Sequence, residues 1–144
     1  MDMQEKIREN AELAVEKMRP VSGLAFDYDA ESVEWVDGFI NRQRERPEVG
    51  AEMIDAFVNV LGSYLGECIR RNYGGEWHAD EYGWCIRFDE DNAVYPFSKT
   101  RKQLENGAED SIYSFFTMIP IVFGEASPML KGKPSPLTKR PQTS

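Results

Sequence analysis

Residues 60–116 constrain the fold more than any other part of the chain. An apolar helical pattern carrying a charged Glu67 runs into Gly74-Gly75, then into aromatic-rich segments, then into a basic helix start. A hydrophobic period near 3.6 belongs to a helix with one buried face, and a period of 2 to a half-buried strand. The glycine pair, which stops a helix readily, therefore marks a switch from helix to sheet.

The helix before the switch is expected over residues 49–73. Ile54, Phe57, Val58, Leu61, Leu65, Cys68 and Ile69 form a wide apolar stripe along it. Gly62 and Gly66 lie one turn apart, and each costs about 1 kcal/mol relative to Ala in a helix interior. Such a pair points to another backbone packed close on that side. An exposed glycine face would instead offer a homodimer contact.

Three short strands are expected after the switch. Trp77 and Ala79 share a face of the first. Tyr82, Trp84, Ile86 and Phe88 share a face of the second, with Cys85 and Arg87 on the other. Asp89-Glu90-Asp91-Asn92 is a polar turn, and residues 93–97 form the third strand, with Pro96 at its end or on an edge. This alternation fits an antiparallel meander with one covered and one wetter face.

Helices flank the meander in the sequence. Residues 2–19 repeat Ile7, Ala11, Ala14, Val15 and Met18 at helical spacing, and Pro20 and Gly23 should end that helix. Asp29 suits the N-cap of a second helix bearing Val33, Val36, Phe39 and Ile40, with Trp35 one turn before Phe39. Arg42, Arg44 and Arg46 stand near its C-terminal end, where cations suit the helix dipole, and Pro47 closes it. Downstream, Ser98 should cap a basic helix over 99–105 that Asn106-Gly107 ends. Asp110 or Ser111 should cap a last helix with Ile112, Phe115, Phe116 and Ile119, kinked or ended by Pro120. The expected fold is α+β: an N-terminal helical layer on a three-stranded antiparallel meander, with short C-terminal helices. Residues 1–124 are expected to form one domain, and residues 125–144, rich in Pro and Lys, a flexible tail.

Composition bounds the partners. With 144 residues, 41% of them hydrophobic, the chain can bury a core of its own. The net charge is -8, and residues 125–144 hold one acid against four bases, so the remainder carries -11. That field repels phosphate backbones, which argues against nucleic acid and suits a basic protein partner. Cys68 and Cys85 follow no export signal and are expected as free thiols of a cytoplasmic protein. The longest apolar run, residues 118–123, is far too short to span a bilayer.

The stretch also carries a recognisable order of motifs: Leu61-Gly62, Leu65-Gly66-Glu67, Gly74-Gly75-Glu76-Trp77, Pro96-Phe97-Ser98-Lys99, and Glu105-Asn106-Gly107 through Glu109-Asp110-Ser111. In this it resembles a family of small bacterial domains of unknown function. The resemblance implies a fold and carries no activity, cofactor or substrate.

Glu67 is the first candidate for a functional residue. A carboxylate among apolar neighbours needs a partner or a raised pKa. Two readings fit: it lines a pocket as a base or cation binder, or it pairs with Lys99, Arg101 or a strand amide to fix the helix on the sheet. Trp77, Trp84 and Tyr95, with Tyr82, form an aromatic group that is either core or, beside Arg87 and Lys99, a binding patch. Glu67, Trp77, Trp84, Tyr95 and Lys99 are thus the candidate ligand-binding residues.

Other chemistries fit less well. Glu76, His78 and Asp80 alternate along one strand, but i and i+4 stand about 13 Å apart, too far to share one ion. Cys85 and His78 would share a sheet face if the strands pair in register, but no oxyanion site is signalled. The Asp89 turn has Val94 and Thr100 where a calcium loop needs Gly and Glu. Gly74-Gly75 lacks the Lys-Ser/Thr of a phosphate loop. No catalytic set, metal or cofactor is therefore assigned. The expected function is a non-catalytic interaction module for a protein partner, of the kind an antitoxin or immunity protein represents. The alternative is a small-ligand binder or minor enzyme with a pocket around Glu67.

Overall fold

A computed structural model of the chain describes residues 2–123. The tail expected over residues 125–144 lies outside the described residues. The helices are α1 (Met3–Ser22), α2 (Ala30–Arg44), α3 (Ala51–Tyr73), α4 (Pro96–Asn106) and α5 (Ile112–Val122). The strands β1 (Glu76–Asp80), β2 (Gly83–Asp89) and β3 (Asn92–Val94) lie between α3 and α4. They form one antiparallel sheet in the order β1-β2-β3. The α+β architecture with a three-stranded meander is as expected. Among the described residues no helix is long and apolar enough to cross a membrane.

The molecule is organised around α3. Every residue from 61 to 69 is buried, so this part is enclosed on all sides rather than along one stripe. α1 and α4 pack along it, and α3 and α4 carry the main helix contacts to the sheet through β2. α2 leans chiefly on α5 and α4 and only lightly on α3. The glycines explain the close packing. A Cβ on Gly62 would stand 2.5 Å from the Phe97 ring and 3.1 Å from the Phe97 Cα, and one on Gly66 would overlap the Trp77 indole. The glycine face is therefore covered within the chain, by two aromatic side chains as well as by backbone, and is not free for a second copy.

Caps follow local chemistry. Asp29 accepts from the Ser32 amide at 3.0 Å, and Ser111 rather than Asp110 caps α5. Pro20 and Pro96 behave otherwise than expected, whereas α2 ends just before Pro47 as expected. Pro20 does not end α1, which runs to Ser22 and closes on Gly23 at φ 75°. The carbonyl that Pro20 leaves unpaired belongs to Glu16, exposed like Pro20 itself, so solvent can satisfy it. Pro96 is not a strand residue: β3 stops at Val94, and Pro96 opens α4, where a missing N–H is no loss and its φ is preset. Ser98 accordingly lies inside α4 and is not its cap. Pro120 sits in the last turn of α5, which ends two residues later.

The α1–α2 connection is strained and firmly held. Phe26 and Tyr28 take φ of 53° and 62°, a region non-glycine residues rarely adopt. Tyr64 of α3 compensates. Its hydroxyl accepts from the Tyr28 amide at 2.9 Å and shares a hydrogen bond with Ser32 at 2.7 Å, while Phe26 and Tyr28 both pack on its ring. Arg71 covers the other side of Tyr28, its guanidinium 3.6 Å from the ring centroid. This knot sets how far apart α1 and α2 start.

Candidate functional site

Glu67 is only 3% exposed, and both its oxygens are engaged. Arg70, one turn along α3, grips it with two bonds of 3.1 and 3.0 Å, and Trp77 Nε1 donates to it at 2.8 Å. Arg71 adds a longer contact at 3.4 Å. Burial alone would raise the carboxyl pKa. The hydrogen bonds from Arg70 and Trp77 and the two guanidinium charges outweigh it and hold the group below its ordinary value. Glu67 is thus an ionised anchor tying β1 to α3 through Trp77. The partners named from sequence lie elsewhere: Arg101 bonds Asp55 at 2.8 Å, and Lys99 lies 5.1 Å from the centre of the Phe115 ring.

The other candidates do not gather around Glu67. Trp77 joins it. Trp84 is half-buried on β2 opposite Ala79. Tyr95 donates to Asp80 at 2.6 Å on the far side of the sheet; burial and that carboxylate push its hydroxyl pKa up, so it stays a donor. Lys99 lines a separate cavity of about 300 Å³ with Asp110, Phe115 and Phe123. Its pKa is lowered, first by burial and then by Lys102.

Cys85 and His78 do face one another across β1 and β2. The thiol, however, donates to the His78 backbone carbonyl at 3.3 Å and not to the imidazole. Burial, with Asp80 nearby, pushes its pKa up to about 11, so it is a neutral thiol at pH 7. Two clefts on the sheet are lined by Arg87 together with Asp89 and Glu90, so each mixes both signs of charge. Among the described residues no group of three His, Cys, Asp or Glu is arranged to hold a metal ion.

A mainly apolar groove lies on α1, α2 and α3, away from the sheet, and was not singled out from sequence. α1 and α2 flank α3 without packing along one another, leaving a groove of about 530 Å³. Leu13 and Val21 line it from α1, Trp35 and Phe39 from α2, and Phe57 and Val60 form part of its floor on α3. The rings are braced. Trp35 stacks on Phe39 at 5.7 Å, Phe39 meets Phe57 edge-on at 5.6 Å, and buried Phe26 holds Trp35 from behind at 5.7 Å. The strained connection thereby positions the groove. Two cations, Lys17 of α1 and Arg42 of α2, also line it, and Arg42 lies 5.5 Å from the Trp35 ring centre.

A signal for this groove exists in the sequence. The core face of α2 is met by Val33, Val36 and Ile40, which leaves Trp35 and Phe39 as surplus apolar bulk beside it. On α1, Leu13 and Val21 likewise fall outside the buried set Ile7, Ala11, Ala14 and Met18. No protein-family model, no curated protein and no solved structure matches the chain.

Proposed function

We propose that this protein is a non-catalytic interaction module and that the groove between α1 and α2 is its contact surface. The observation that carries the reading is the braced aromatic wall of Trp35, Phe39 and Phe57, which faces outward while every one of these rings is held by another. Rigid aromatic anchors in a concave apolar surface are the features that dominate binding energy at interfaces. The volume, about 530 Å³, is within the usual range for recognition sites. The side chains best suited to chemistry are meanwhile engaged: Glu67 with two arginines and an indole, and Cys85 with a carbonyl. Both cysteines are buried free thiols, which suits a reducing, cytoplasmic setting.

Capture from native lysate with wild-type protein and a Leu13→Glu/Val21→Glu variant tests this. These two side chains are 37% and 74% exposed, so the variant should melt within about 2 °C of wild type. A stoichiometric partner that wild type retains and the folded variant loses is the expected result. A partner held equally by both would remove the groove from the interface. No partner at any salt concentration would contradict the interaction module itself.

A further inference from the structure

We infer that the groove receives one face of an amphipathic helix whose apolar stripe is flanked by carboxylates; this rests on reading the groove as the interaction surface. The charge of the lining is the first argument. Lys17 on one wall and Arg42 on the other are cations, and neither has a carboxylate partner among the described residues. The whole chain carries -8. Docked groups, however, feel mainly the charges within a Debye length, about 8 Å at physiological salt. A net acidic protein that places cations without carboxylate partners on both walls of its apolar groove is complementary to an apolar body with anionic edges.

Shape separates a helix from a free long-chain carboxylate. A small-molecule pocket encloses most of its ligand. Here the apolar surface spills out of the concavity, with Val21 at 74% exposure on the rim and Leu13 at 37%. These two lie eight residues apart on α1, roughly 12 Å by the helical rise. That length matches the span of anchors at i, i+4 and i+7 on a partner helix, the spacing by which amphipathic helices fill grooves. A second copy of this chain fits worse. A twofold contact sets the same patch against itself, so Lys17 and Arg42 would meet their own equivalents.

The test uses the full chain and three probes in calorimetric titrations. The probes are an amphipathic peptide roughly five turns long with Leu anchors and Glu flanks, the same peptide with Lys flanks, and oleate. Wild type should bind the Glu peptide about tenfold more tightly than the Lys peptide. A Lys17→Glu/Arg42→Glu variant, whose changed side chains are exposed and whose melting temperature is recorded alongside, should reverse that order. The Glu-peptide affinity should also fall as salt rises. Equal affinity for both peptides would overturn the acidic partner and leave the groove standing as an apolar contact. Failure of both peptides to bind at millimolar concentration would overturn the groove reading as well. Oleate binding that displaces the Glu peptide, with higher affinity, would make the occupant a small amphiphile and end the helix proposal.

Discussion

At the residue scale, Glu67 shows what sequence reveals about a buried charge and what it withholds. That a carboxylate among Leu61, Leu65 and Cys68 must have a partner is legible from the helical spacing. Arg70 and Arg71, three and four residues on, are in helical reach and could have been named first. The Trp77 indole could not, because its approach depends on the missing Cβ of Gly66 and on the strand turning back over α3. The pairing has a pH signature. Because the folded-state pKa of Glu67 is depressed, its contribution is complete above the ordinary carboxyl value of the unfolded state and is lost as pH falls through the lower folded value. Glu67→Gln should cost about 1–2 kcal/mol at pH 7, since Gln keeps an acceptor but loses the charge. In denaturant titrations that difference should narrow between pH 7 and pH 3. A gap of the same size at both pH values would show that the charge is not what stabilises the contact.

At the element scale, the start of α5 is held by a polar device reaching across the fold. Asp37 of α2 accepts from the Tyr113 amide at 2.9 Å and from the Ser111 hydroxyl, so it supplements the local cap of α5 from another helix. Gln103 of α4, fully buried, donates to the Asp37 carbonyl at 3.1 Å and accepts from the Ile112 amide at 2.8 Å. Asp37→Ala removes an acceptor from two donors at the start of α5 and should cost about 2 kcal/mol. Amide exchange should then accelerate in α5 before it does in α3. Uniform acceleration across both helices would mean that α5 has no separate opening. Nothing in the local pattern of α2 foretells this, because the partner lies 76 residues away. The same limit explains Pro96. A proline after an alternating segment reads as a strand end until the next turn is known to be helical, and only then does it become a favourable first residue.

At the scale of the whole molecule, the layers and the strand order were legible because the periods of 3.6 and 2 are separated by the Gly74-Gly75 pair, and Asp29 and Ser111 mark helix starts. The groove was not. Periodicity tells which face of each helix is apolar, but α1 and α2 each carry more apolar surface than their core contacts use, and where two surpluses meet is decided in three dimensions. Trp35 and Leu13 become neighbours in one site only because the Phe26–Tyr28 connection, pinned by Tyr64, starts the two helices apart over α3. The net charge misleads in the same way, since a sum over the chain does not show that Lys17 and Arg42 face a shared cleft.

The most direct measurement is chemical-shift mapping on isotopically labelled protein as the Glu-flanked peptide is added. Shifts should concentrate at Leu13, Lys17, Val21, Phe39, Phe57 and the Trp35 indole, with the Trp77 and Trp84 indoles unmoved. Shifts centred on the sheet or around Lys99, with a silent groove, would remove the groove as the contact surface.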